Sequence, residues 1–90
     1  MSITKLDCME LKDTIVLMNS EDYKDRFKAE YYQTKIRYEK LHKMLVKHVA
    51  GTLNFTPTCS TAILEQQKRY MQEYLKTLEI RAEKEGIELE

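Results

Sequence analysis

Seven residues recur at alternating spacings of four and three through the middle of the chain: Phe27, Tyr31, Thr34, Tyr38, Leu41, Leu45 and His48. Such spacing places them all on one face of an α-helix. A weaker row with the same spacings follows: Leu64, Gln67, Met71, Tyr74, Leu78 and Arg81. Because the 90 residues include only two glycines and one proline, few positions interrupt a helix. The sequence predicts an all-α chain with two long helices.

Capping signals mark the ends of the first helix. In the segment Asn19-Ser20-Glu21-Asp22, Asn19 or Ser20 can cap free backbone N–H groups, and the two acids lie at the positive end of the helix dipole. Gly51 can adopt the left-handed conformation that ends a helix. These signals predict a helix over about residues 20–50. The hydroxyl side chains and the single proline that follow favour a connecting loop.

The second helix is bounded in the same way. Ser60 or Thr61 can cap its start, and Gly86 can end it, which predicts a helix over about residues 60–85. Two helices joined by a short loop fold back on each other. We therefore expect an antiparallel two-helix hairpin over residues 19–90.

Residues 1–18 form an N-terminal extension to this hairpin. A short helix and an extended arm fit the sequence equally well. A third interpretation is that translation starts at Met18, which directly precedes the capping signal of the first helix.

Charge and length exclude several classes of function. The chain carries 15 Lys and Arg against 15 Asp and Glu, so it has no net positive field to attract nucleic acid or an anionic membrane. The longest strictly apolar run, Ile15 to Met18, is far shorter than the roughly 20 residues of a membrane span. The first residues lack the pattern of a secretory signal. We expect a cytoplasmic, single-domain protein with no membrane partner, and nucleic acid is a disfavoured ligand.

A hairpin of this size has a thin core. Domains below roughly 80 residues seldom reach more than about 5 kcal/mol of stability without disulfides, metal or association. The tyrosines populate more than one helical face, and Tyr32 and Ile36 lie off the main row, where a lone hairpin would leave them exposed. We therefore expect a homo-oligomer with a helical bundle at its centre.

Few residues point to catalysis or to a bound metal. His42 and His48 are six apart, unlike the i, i+4 pair that grips zinc on a helix, so we expect no metal and no cofactor. Cys59 lies between the loop and the second helix, where a helix dipole can activate a thiol. A structural thiol is the alternative interpretation. With no recognisable catalytic arrangement, we expect a protein that is not an enzyme.

The most suggestive chemistry lies in the first helix, because residues 19–50 carry 8 basic and 5 acidic side chains. Cations that hold phosphate beside rings that stack on bases are what nucleotide recognition requires. The candidate residues are Arg37, Lys40, Lys43 and Lys47 for phosphate, and Tyr31, Tyr32 and Tyr38 for stacking. They wrap around the helix, so the alternative is a solvated basic face over a tyrosine-rich core. Basic side chains from two chains could also converge on a shared pocket.

Six segments carry a resemblance to a known family: NSEDYKDRFKAEYY at 19–32, KIRY at 35–38, AGTL at 50–53, FTPTC at 55–59, LEIRAE at 78–83 and EGIEL at 85–89. Together they resemble a family of small phage and prophage proteins named after an uncharacterised gene product of a crAss-like gut phage. The resemblance covers residues 18–89. Members typically begin at the equivalent of Met18, and many have proline where this chain has Ser60.

The resemblance implies a phage accessory protein in the cytoplasm of a bacterial host, with no assigned catalytic residues. By analogy with small helical phage proteins that sequester nucleotide immune signals, the favoured hypothesis is a counter-defence oligomer that binds a small phosphate-bearing ligand. The alternative is a helical interaction module, an inhibitor or adaptor that acts on a host protein.

Overall fold

The computed structural model describes residues 9–89 and is helical wherever it is regular. A 3₁₀ turn at Leu11–Thr14 leads into three helices, which we number α1 (Ile15–Met18), α2 (Tyr23–Ala50) and α3 (Thr61–Glu85). No strand occurs in the described residues, which confirms the all-α class. The longest dimension is 43 Å, about the length of α2 at 1.5 Å per residue.

Helix α2 begins later than the sequence pattern indicates. Its N-cap is Asp22, whose carboxylate accepts a hydrogen bond from the Lys24 N–H at 2.9 Å. The expected cap at Asn19 or Ser20 is therefore wrong. The Ser20 hydroxyl accepts from the Asp22 N–H at 3.1 Å and donates to Asp25 at 2.8 Å, so it stabilises the turn that precedes the helix instead of the first helical turn.

The other predicted ends are confirmed. Gly51 ends α2 with a φ of 78°, where a side chain would be strained. The Ser60 hydroxyl caps α3 by accepting from the Ile63 N–H at 3.3 Å. Gly86 ends α3 with a φ of 68°, and the next N–H, that of Ile87, donates to a carbonyl of the last turn at 2.9 Å.

The two long helices pack antiparallel around one core. The Tyr31 hydroxyl, near the start of α2, donates a hydrogen bond of 2.6 Å to Glu79, near the end of α3. The surrounding core consists of buried aromatic and aliphatic side chains: Phe27, Tyr31, Tyr32, Leu75, Leu78, Ala82 and Ile87. On α3, burial is confined to its C-terminal half, since residues 61–74 include no buried residue.

The described part of the N-terminal extension packs against α2. Thr14 is fully buried; its hydroxyl donates to the Leu11 carbonyl at 2.7 Å and accepts from the Gln33 amide at 2.8 Å. Of the alternatives for this extension, residues 11–18 adopt short helical turns, while residues 1–8 lie outside the described residues. A start of translation at Met18 stays a prediction.

This packing corrects the expectation that two residues off the main row are exposed. Tyr32 is 2% exposed and Ile36 is 7% exposed. Helix α2 is covered by α3 on one side and by the N-terminal turns on another, so a single chain already buries both residues. They therefore give no support to an oligomer.

Replacing Thr14 with valine tests whether the N-terminal turns stabilise the fold. Thr14→Val keeps the shape but removes the hydroxyl that bonds Leu11 and Gln33, and we expect a loss of about 1–3 kcal/mol in the free energy of unfolding. Urea denaturation measures the loss. The control is Thr77→Val, because the exposed Thr77 hydroxyl only bonds its own helix. Equal effects of the two variants would contradict a stabilising role for the Thr14 contacts.

The Tyr31–Glu79 bond predicts a pH dependence of stability. Burial, and then the hydrogen bond and charge of Glu79, raise the pKa of Tyr31 well above its ordinary value of 10.0. Above pH 10 the unfolded chain loses this proton while the folded chain keeps it, so stability falls as the pH rises.

Tyr31→Phe removes that contribution. We expect the difference in unfolding free energy between the native chain and Tyr31→Phe to narrow between pH 9 and pH 12, by up to about 1.4 kcal/mol per pH unit. Urea denaturation across this pH range measures it. The control Tyr70→Phe alters a ring that is 66% exposed. A difference for Tyr31→Phe that stays constant with pH would refute the assignment.

Candidate functional site

Three of the predicted phosphate-binding residues share one face of α2. Lys40, Lys43 and Lys47 are spaced by three and four, so at 100° per residue they lie within about 60° of one another. All three are exposed, and within the described residues no acidic side chain pairs with any of them. We call these three residues the lysine row. Arg37 is also exposed but lies about a quarter of a turn to one side.

Two of the predicted stacking rings belong to the core. Tyr31 is 5% exposed and Tyr32 is 2% exposed, and their rings contact each other edge to face with centroids 5.9 Å apart. The prediction that they stack on a base does not fit the single chain, because the packing on both sides of α2 covers them.

Tyr38 is the predicted ring that remains partly open. It is stacked on the imidazole of His42, with centroids 6.1 Å apart and planes 6° from parallel. The ammonium of Lys35 lies 5.7 Å from the ring centroid and pairs with Glu39 at 3.3 Å. This arrangement holds the Tyr38 ring at the boundary between the two long helices.

A groove of about 380 Å³ opens beside Tyr38. Side chains from both long helices line it: Lys35, Tyr38, Gln72, Glu73, Leu75, Lys76 and Glu79. The groove therefore combines one ring with two cations and two acids. Lys76 is not among the residues predicted from the sequence, because the register between two helices cannot be read from spacing along either of them.

The structure separates the lysine row from Tyr38. Along α2, Tyr38 faces α3, while the middle of the row lies about 170° around the helix. A ligand held by the row of one chain therefore cannot contact the Tyr38 ring of the same chain. The predicted site falls into three places: a buried pair of tyrosines, an interhelical groove and an exposed lysine row.

A further cavity, larger than this groove, lies elsewhere and is acidic. It measures about 680 Å³ and is lined by residues of the α3 C-terminus together with one tyrosine: Tyr31, Glu79, Ala82, Glu83, Gly86, Ile87, Glu88 and Leu89. Three carboxylates at its wall disfavour a phosphate ligand by like-charge repulsion.

The remaining candidates for chemistry are isolated. Cys59 is an exposed free thiol, and Ser60 beside it caps α3. Within residues 9–89, no group of three or more His, Cys, Asp or Glu side chains could hold a metal ion. In the same range, no helix has the length and apolar character needed to cross a membrane.

Comparison with known proteins places the chain in a family. No curated protein and no solved structure matches it. The family model for Sequestin matches residues 21–84, which include nearly all of both long helices and the whole connection between them. The crAss-like phage origin implied by the resemblance stays a prediction. Since the match covers well over half of its length, the chain belongs to the Sequestin family.

Proposed function

We propose that this chain is a non-enzymatic protein that sequesters a small phosphate-bearing ligand, of the nucleotide type, by binding it without changing it. The lysine row is the observation that carries the proposal, because three exposed amines share one face and no described acid neutralises them. The family name Sequestin is compatible with a sequestering role. The resemblance to phage proteins supplies the context, which is removal of a host defence signal.

The dimensions of the row favour a small ligand over a nucleic acid duplex. From Lys40 to Lys47 the helix rises by about 10 Å, which suits two or three phosphates in one molecule. A duplex binder needs an extended basic surface, whereas this chain has no net charge and its second long helix carries as many acidic as basic side chains. Lysine binds phosphate as a compact point charge. The row therefore attracts phosphate electrostatically but contributes little geometric specificity for a particular ligand.

Recognition of a base requires a second surface. Tyr38 lies on the other side of α2, so a ligand on the row meets a ring only if that ring belongs to another copy. We therefore assign phosphate binding to the lysine row, with Arg37 at its edge. Stacking on Tyr38 belongs to the groove between the helices or to a neighbouring chain in an oligomer.

Isothermal titration calorimetry against cyclic nucleotides and ADP-ribose derivatives tests this function. For a ligand that binds, we expect the triple variant Lys40→Gln, Lys43→Gln, Lys47→Gln to weaken binding about 100-fold, since three charge-assisted contacts are lost. Higher salt should weaken binding to the native chain. Mass spectrometry of the released ligand should show it unchanged.

Two matched variants locate the site. The control is a triple variant that removes the same charge from exposed positions elsewhere, Lys12→Gln, Lys24→Gln, Lys84→Gln. We expect this variant to bind the ligand as tightly as the native chain does. If Lys35→Gln, Lys76→Gln abolishes binding while the row variant does not, the groove and not the row holds the ligand. Absence of heat across the whole panel would contradict the proposed function.

The alternative function, binding of a host protein, is favoured by one observation. Ile63 and Tyr70 on α3 are more than half exposed, as the apolar face of an interaction module would be. Affinity capture from host lysate distinguishes the two functions. A stoichiometric protein partner without a retained small molecule would favour the interaction module.

A further inference from the structure

The N-terminal half of α3 is a helix without a core of its own. Its 14 residues, 61–74, include no buried residue, and three of its large apolar side chains are exposed: Ile63, Tyr70 and Tyr74 are 56%, 66% and 42% exposed. An isolated helix of about 12–15 residues is marginal in water. In this half of α3, Leu64 and Met71 are half-buried, so packing within one chain stabilises it less than the C-terminal half, where Leu75, Leu78 and Ala82 are buried.

One face of this segment, from Ile63 to Tyr74, is uncharged over about three turns. A shallow apolar groove of about 470 Å³ follows it, lined by Ile63, Gln66, Gln67, Tyr70, Met71 and Tyr74. We call these six residues the α3 stripe. A third of the whole chain is charged, so two charged residues would be expected among six, and the stripe has none. Such a face fits a partner that is equally neutral and apolar.

We infer that the α3 stripe binds the α3 stripe of a second copy, with the two helices antiparallel about a two-fold axis. A two-fold interface must be self-complementary. The stripe meets this condition, because its spacings of 3, 1, 3, 1 and 3 read the same in both directions. Its midpoint lies between Lys68 and Arg69, which face away from the stripe.

The symmetry fixes which residues meet. Ile63 of one copy lies against Tyr74 of the other, and Gln67 lies against Tyr70, so the Gln67 amide meets a ring with a hydroxyl. In the third pair, Gln66 lies against Met71. Because neither face carries a charge, the pairing creates no buried ion and no like-charge contact. A strongly charged partner would lose its hydration on this face without finding a counter-charge.

The area of the stripe sets the strength of the pairing. With about 200 Å² per tyrosine side chain, the exposed parts of Ile63, Tyr70 and Tyr74 amount to on the order of 300 Å² per copy. The glutamine stems and Met71 add to this, which brings the total for two copies near the lower limit of about 1,000 Å² for a specific interface. The pairing is therefore concentration-dependent, and its test requires a range of concentrations.

Light scattering after size exclusion, from about 1 µM to about 200 µM protein, measures the mass. We expect the native chain to reach twice its 10.8 kDa, or a larger even multiple. Tyr70→Glu should reduce that mass at least twofold. The matched control is Val16→Glu, which places the same charge at an apolar residue that is 81% exposed, and it should keep the native mass. Circular dichroism verifies that both variants stay helical.

A distance measurement tests the antiparallel arrangement. In a chain with Cys8→Ser and Cys59→Ser, a spin label is attached at Glu83→Cys. Two-fold pairing about the middle of the stripe places the two labels about 44 Å apart along the helix axes, whereas parallel pairing keeps them side by side. A short distance would overturn the antiparallel arrangement.

Other outcomes overturn the inference altogether. The first is a native chain that stays at 10.8 kDa at every concentration, whether or not this face binds a different protein. The second is a Tyr70→Glu variant that keeps the native mass. The inference does not require the proposed ligand. The row variant Lys40→Gln, Lys43→Gln, Lys47→Gln should keep the native mass, so failure of ligand binding and failure of pairing are told apart.

Discussion

The fold depends on the burial of two faces of one helix. Helix α2 packs against α3 with Phe27 and Tyr31, and the N-terminal turns cover another face, where Ala29 and Ile36 are buried. A two-helix hairpin buries one stripe per helix, which is a thin core for a small domain. The N-terminal turns give α2 a second stripe, and the hydrogen bond between Thr14 and Gln33 fixes their position. With α2 held in this way, the N-terminal half of α3 retains an apolar face without cover.

Local signals in the sequence predicted the architecture. Contacts between residues distant in sequence could not be predicted from it. The glycine ends and the Ser60 cap depend on one residue each, so they could be read directly. The start of α2 could not, because Asn19, Ser20 and Asp22 can each cap a helix, and only the hydrogen bonds among the residues of this turn decide that Asp22 does. The burial of Tyr32 depends on a segment more than ten residues away. No spacing rule predicts that contact.

The candidate site shows the same limit. The spacing of Lys40, Lys43 and Lys47 already predicts a shared face, whereas their separation from the tyrosines depends on which side of α2 meets α3. Tyr31 has the aromatic ring that stacking on a base requires, yet this ring is buried and its hydroxyl donates a hydrogen bond to Glu79. Its partner lies 48 residues further along the chain. Residue type suggested nucleotide chemistry, and packing decides which of these residues can take part in it.

The binding free energy that tight sequestration requires is larger than the lysine row of one chain can supply. A dissociation constant of 1 µM corresponds to about 8 kcal/mol of binding free energy. Three solvated ion pairs on an exposed row contribute at most about 1 kcal/mol each. The remainder has to come from burial of the ligand against a second surface, and within one chain Tyr38 is on the wrong side of α2 to supply it. The proposed pairing through α3 would leave the lysine rows of both copies on outer faces. If the chain sequesters its ligand tightly, a further contact between copies at α2 would be needed, and the assembly that binds the ligand would then be larger than the α3 pair.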